Sequence, residues 1–181
     1  MAVITLTGTP GSGKSTLAKL LAERLGYTHY SIGDVRRDYA TKRGITLAEL
    51  NRLGEGEEDT DTQFDEYQRR LGETEDDFVI DCRLGFHFIP RSVKLFVDAD
   101  EQVRAQRLMQ RDSVGEQAAH VDEAMRLNKE RLESDRRRYV RLYGVDPFSM
   151  TNYDLVLDTT NKRPEPLVEE VLEKFKLEPK K

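Results

Sequence analysis

The sequence predicts an α/β fold, a five-stranded and mainly parallel sheet with helices on both faces. Three observations carry this. A short apolar, β-rich run opens the chain, glycines and an amphipathic helix follow it, and four further strand-like runs come downstream with helical patterns between most of them. A length of 181 residues is enough for one domain with its own core but hardly for two, so 1–181 is read as a single unit.

Residues 2–7 form the first strand, a short β-rich apolar run of the kind that a strand covered on both faces shows. Residues 15–25 follow as a helix in which Leu17, Leu20, Leu21 and Leu25 share a face and Gly26 supplies the stop. Further strands are expected at 28–31, 78–81, 93–97 and 154–158. Helices are expected at 35–43, 47–53, 64–71, 101–111, 116–143 and 165–175. Two stretches, 54–61 and the tail from 178, read as irregular. The polar helical excursion 34–73 lies between two strands and reads either as a flap beside a site or as an ordinary pair of surface helices.

Hydrophobic residues make up 37% and charged residues 35%, with a net charge of −5. The apolar positions are periodic, which favours a folded chain over a disordered one. The negative balance gives no general attraction to nucleic acid or an anionic membrane. Cys82 is the single cysteine, so no internal disulfide is expected, and His29, His87 and His120 lack metal-ligand spacing. With no basic leader and no run of membrane-spanning length, a cytoplasmic protein is the expectation, and a monomer is the default.

Gly8-Thr9-Pro10-Gly11-Ser12-Gly13-Lys14-Ser15-Thr16 fits G-x-x-x-x-G-K-[ST] between a buried strand and an amphipathic helix, the context this phosphate-binding loop requires. Glycines let several N–H groups turn toward phosphate oxygens, and the helix adds the positive end of its dipole. Lys14 is expected on the β- and γ-phosphates of ATP and the Ser15 hydroxyl on Mg²⁺. Asp81 ends a strand where such folds place an acidic partner for the metal, although a strand-end Asp is also a common turn residue.

Phosphoryl transfer needs fixed positive charge around the moving group, and the planar fork of arginine suits that task. On the helix 116–143, Arg131, Ser134 and Arg138 are spaced by three and four and share a face. Beside them Val121, Met125, Leu132, Tyr139 and Leu142 form an apolar stripe that should dock the helix, while Arg136, Arg137 and Arg141 read as solvated charge. Arg104, Arg107 and Arg111 precede the break Asp112-Ser113-Val114-Gly115, a pattern that fits a mobile lid or a surface charge ladder. Arg37 and Arg83 follow predicted strand ends, where open α/β sheets gather ligands, and suggest a second phosphate site.

On these residues the chain resembles the nucleoside monophosphate kinases, specifically the short cytidylate kinases of archaeal and related bacterial type. The resemblance runs from Val3 to about Phe175. Its motifs are GTPGSGKST from Gly8, SIGDVRRDYATKRG from Ser31, VIDCRLGFHFIP from Val79, KLFVDAD from Lys94, KERLESDRRRYVRLYGVD from Lys129 and YDLVLDTTN from Tyr153. The resemblance implies a P-loop core, a monophosphate-binding insert near 34–73 and a lid near 107–117. It implies transfer of the ATP γ-phosphoryl group to CMP or dCMP with Mg²⁺. Arg37, Arg83 and Arg131 would hold the acceptor phosphate or the transferring group, and Arg138 would stabilise the transition state. Ser31, Gly33 and Asp34 match the segment that opens the acceptor site, and residues 158–161, ending at Asn161, match the loop bordering the donor adenine. Arg107 falls at the start of the lid. Where larger bacterial relatives have Gly-Arg-Asp, this chain has Cys82-Arg83-Leu84, so one acidic contact is missing. Asp61 and Asp65 read either as partners of the base amino group or as a solvated helix start. Other acceptors (UMP, AMP or a small metabolite) and a regulatory nucleotide switch are the rival readings.

Overall fold

Val3–Gly8 forms the central strand β1, and all six of its residues are buried because the sheet is covered on both faces. The computed structural model describes residues 2–56, 59–110, 118 and 120–180. Helix α1 (Lys14–Leu25) follows and stops at Gly26, whose left-handed conformation closes the last turn. Strand β2 (Thr28–Ser31) leads directly into α2 (Ile32–Lys42), then α3 (Leu47–Gly56) and α4 (Asp59–Thr74). After β3 (Phe78–Asp81) come α5 (Gly85–Phe88), β4 (Val93–Asp98), α6 (Glu101–Met109), α7 (Val121–Tyr143), β5 (Leu155–Asp158) and α8 (Pro164–Phe175).

The five strands pair in parallel in the order β2-β3-β1-β4-β5. The chain fills one side of β1 with β3 and β2, then crosses to the other side for β4 and β5. Ligands in open sheets of this kind gather at the carboxyl ends of the strands beside such a switch. That edge brings together the loop after β1, Asp81 at the end of β3 and Asp98 at the end of β4.

Alternation along β1 divides the core in two. Ile4 and Leu6 pack with Leu17 and Leu21 of α1 and with Val168 and Val171 of α8. Val3 packs on the opposite face with Phe78 and Ile80, against Leu50 of α3, Phe64 and Leu71 of α4, and Tyr139 of α7. The expected strand–helix alternation, the five parallel strands and both helical layers are present. The expected irregular segment 54–61 is not: α3 continues to Gly56 and α4 begins at Asp59.

Two further differences concern the long helix. It begins at Val121 rather than 116, and residues 116 and 117, like the break 112–115 and Arg111, lie outside the described residues. The expected docking stripe is also wrong except at Tyr139. The buried face is Ala124, Asn128, Asp135, Arg138 and Tyr139, with Val121, Met125, Leu132 and Leu142 only half-buried. The helix docks through polar side chains because what it meets is the site, not the apolar core.

At α5 the backbone comes close to the sheet. A Cβ on Gly85 would stand 2.5 Å from Cys82 Sγ and 2.9 Å from Thr5 Cβ. Gly85→Ala is therefore expected to lower stability by about 1–3 kcal/mol through overpacking. The midpoint of chemical denaturation measures this, and an unchanged midpoint would contradict the close approach.

Candidate active site

The loop after β1 is held by its carbonyls. The Gly8 carbonyl accepts from Arg83 Nη1, Thr9 O from the Ser12 N–H at 3.2 Å, Pro10 O from Asn128 Nδ2 at 3.4 Å and Ser12 O from Thr159 Oγ1 at 2.7 Å. Thr9 Oγ1 donates to Asp98 at 2.6 Å, anchoring the loop to β4. Gly11 and Gly13 take φ values of 83° and 81°, the left-handed region that glycine enters without strain. Gly13 caps α1 and no side chain caps it, so the N–H groups of the first helical turn are left for an anion. With the carbonyls committed elsewhere, this loop offers donors. A phosphate chain fits that donor set.

Lys14 Nζ lies 2.8 Å from Asp81 Oδ1. The same carboxylate receives Ser31 Oγ at 3.3 Å and meets His29 Nε2 at 3.2 Å through its second oxygen. Burial alone would push the Asp81 carboxyl up. The adjacent Lys14 charge and the His29 hydrogen bond outweigh it and hold the group well below the usual carboxylate range. Asp81 is therefore an ionised oxygen donor, and the half-buried Ser15 lines the same cavity. Two hard oxygen donors are the right chemistry for Mg²⁺.

Arginines occupy the opposite wall. Arg83 Nε bonds Asp135 Oδ2 at 2.9 Å, and Arg138 Nη2 bonds the other oxygen of the same carboxylate at 3.0 Å. Arg138 is 4% exposed. It also reaches Asn51 O at 3.3 Å and Tyr139 Oη at 3.0 Å, and its Nε pairs with Asp61 Oδ2 at 3.3 Å without hydrogen-bond alignment. Burial works against its charge, but the neighbours Tyr139, Asp135 and Asp61 raise its pKa further above the ordinary arginine value. Arg36 completes the group with Nη1 2.5 Å from Asp61 Oδ1, Nη2 3.1 Å from Asn51 Oδ1 and its guanidinium over the Phe64 ring. The arginine forks are thus set in advance by carboxylates at 61 and 135, which removes most of their reorganisation when a phosphoryl group arrives.

These walls enclose one cavity of about 1080 Å³. Gly8, Thr9, Pro10, Gly11, Ser12, Gly13, Lys14, Ser15, Ser31, Gly33, Arg37, Asp81, Arg83, Arg131 and Arg138 all line it. Several expected residues do not. Thr16 is exposed on the outer side of α1, and Asp34 is exposed in an ion pair with Arg37. Arg107 bonds Thr159 through Nη1 at 2.9 Å to the hydroxyl and Nη2 at 2.8 Å to the carbonyl, so it braces the loop after β5. Asn161, two residues further on, is exposed. Ser134 shares the helix face of Arg131 and Arg138 but is not in the cavity wall. Asp61 is no solvated helix start: it is 1% exposed and paired to Arg36 and Arg138.

Residues that sequence reasoning passed over are Arg36, Asn51, His29, Asp135 and Gln68. Asp135 carried a readable signal, standing four after Arg131 and three before Arg138 on one helical face. Gln68 and Asn51 carried none, since an isolated amide in a polar helix is ordinary. Cys82 lines the same cavity as a free thiol, and its complete burial pushes its pKa up to about 12.

Comparison with known proteins agrees with this geometry. The family model described as the cytidylate kinase-like family matches residues 3–161. The cytidylate kinase of Natronomonas pharaonis is 39% identical over 168 residues, covering 90% of this chain and 83% of that one. That of Methanopyrus kandleri is 36% identical, covering 87% and 84%. Among solved structures, shikimate kinase from Bacteroides thetaiotaomicron superposes with a TM-score of 0.70 at 19% identity, covering 97% of this chain and 99% of that one. At that identity the likeness speaks for the fold alone.

Proposed function

The chain belongs to the cytidylate kinase-like family and is an ATP-dependent phosphotransferase, and from that premise we propose that it converts CMP or dCMP to the diphosphate. The reading rests on one observation above the others: a donor-rich phosphate loop and a carboxylate-braced arginine cluster face the same cavity. A switch protein that only binds and hydrolyses a nucleotide has no use for the second cluster.

In this reading the triphosphate of ATP lies along residues 8–16, with Lys14 on its outer phosphates. An oxygen of the acceptor phosphate forms the new bond to the γ-phosphorus as the bond to the bridging oxygen breaks and ADP leaves. Arg37, Arg83 and Arg131 hold the acceptor phosphate in line, and Arg138 meets charge on the transferring group. Ser31, Gly33 and Asp34 form the acceptor rim. Ser15 would hold Mg²⁺ and Asp81 would orient its waters; bound there, the ion neutralises charge between the β- and γ-phosphates. Arg107 and Asn161 flank the donor base through the loop after β5. The insert 34–73 and a lid at 107–117 close over both nucleotides and exclude water, which would otherwise compete as acceptor. Among the described residues no helix is long and apolar enough to cross a membrane, and we place the enzyme in the cytoplasm as a monomer without nucleic-acid partners.

The test is ADP formation from Mg·ATP with CMP, dCMP, UMP, AMP or no acceptor. Strong stimulation by CMP or dCMP alone supports the proposal. Stimulation by another monophosphate keeps the kinase and discards the acceptor, and a rate indifferent to every acceptor points instead to a switch.

A further inference from the structure

Gln68 and Asp65 lie three residues apart on α4, which puts them on one helix face, and both line the cavity. The neighbouring wall from α2–α4 carries the apolar side chains of Ala40, Ile45 and Phe64 among polar ones such as Arg36 and Asn51. Apolar surface with a few convergent polar groups is the composition of a site for an aromatic ring.

The orientation of the Gln68 amide is set by its partners. Nε2 donates to Phe64 O and to Asp65 Oδ1, each at 3.2 Å. The first is a carbonyl that can only accept, so the nitrogen must face it. Oε1 is then turned away and has no partner, although Gln68 is only 2% exposed. A buried acceptor left without a donor carries an unrecovered desolvation cost, which a ligand donor would remove. Asp65 supplies a second acceptor. Its Oδ2 receives the Tyr143 hydroxyl and its Oδ1 the Gln68 amide, so both oxygens act as acceptors, although burial pushes the carboxyl up to about 6. This corner of the cavity therefore presents acceptors to whatever enters. Asp61 does not compete for the role, because Arg36 and Arg138 occupy it and it is absent from the cavity wall.

Resting on the acceptor reading above, we propose that Gln68, supported by Asp65, selects the acceptor base by accepting from its exocyclic amino group. Cytosine carries an amino donor where uracil carries a carbonyl oxygen. An amino group brought against Gln68 Oε1 fills its open valence while Nε2 keeps its two partners. The carbonyl of uracil would set lone pairs against lone pairs and leave both oxygens unpaired.

The experiment measures kcat/KM for CMP and for UMP in the full-length wild type, in Gln68→Met and in Asp65→Asn. Methionine keeps the length and apolar packing of the side chain and removes the acceptor. Asparagine exchanges one acceptor for a donor at nearly constant shape. We expect the CMP-to-UMP ratio to fall at least about tenfold in both variants. The ratio comes from one preparation, so partial unfolding lowers both numbers and leaves it unmoved. A ratio unchanged in both variants, with CMP still preferred, would overturn the assignment while leaving the kinase intact. A wild type that phosphorylates no nucleoside monophosphate would be visible before any variant is made and would overturn the acceptor reading along with it.

Discussion

Lys14→Ala is expected to lower the rate of ADP formation by a factor of about 10²–10³ with CMP present, the scale seen when one preorganised donor to a reacting centre is removed. The lysine contributes a mobile point charge at the mouth of the phosphate loop, and nothing else in the loop carries a full positive charge. Its loss also touches Asp81, which is 2% exposed and would keep only His29 and Ser31 as partners. In the wild type that carboxyl is held low in the folded chain. Its contribution is present above the unfolded pKa of about 4 and is lost as pH falls toward the folded value. The variant should therefore be less stable than the wild type at neutral pH, and the gap should narrow as pH falls below about 4, where the wild type loses this contribution too. Initial rates together with denaturation at pH 7 and pH 3 measure both, and a fully active variant would refute the phosphate-loop assignment.

Arg138→Ala should behave differently, losing turnover by orders of magnitude and stability together. The side chain holds Asp135 and Asp61, both buried, and removing it leaves each with a single arginine, Arg83 and Arg36 in turn. Leaving a buried charge wholly unpaired costs roughly 3–5 kcal/mol, so with those two arginines in place the loss should stay below that range. ATP affinity should change little, because the phosphate loop keeps its own anchors at Thr9, Asn128 and Thr159. Arg138→Lys restores the charge without the fork, so it should regain part of the stability while turnover stays at least about tenfold down. Titration calorimetry with ATP beside kcat and thermal unfolding separates these effects. Equal loss of ATP binding and turnover in a folded variant would defeat the role given to this arginine.

Much of the fold was legible because buried parallel strands are short apolar runs, and Phe78–Asp81 begins and ends where its composition says. The phosphate loop was legible for the same reason, since its spacing is dictated by backbone chemistry. The inner face of α7 was not. Hydrophobic periodicity looks for apolar residues facing a core, whereas Asp135 and Arg138 are buried against each other and against Arg83. Asp61 shows the limit most clearly: in a run of acidic residues it looks solvated, and only the tertiary fold brings Arg36 and Arg138 to it. Charge compensation between elements distant in sequence leaves no local pattern to read.

The long helix α7 is pinned along its inner half, by Asp135 to Arg83, Arg138 to Asp61 and Tyr143 to Asp65. Asp135 ties it to Arg83 at the end of β3, and from there to Val121 the arm runs fourteen residues, about 21 Å at helical rise. A tilt of about 10° about those anchors would carry the far end about 4 Å and Asp135 hardly at all. Asn128 bonds the Pro10 carbonyl halfway along the arm, so the phosphate loop would take up roughly half of any such displacement. The same angular error thus matters most where the helix begins and least where the arginines sit, which is where the site needs its charges fixed.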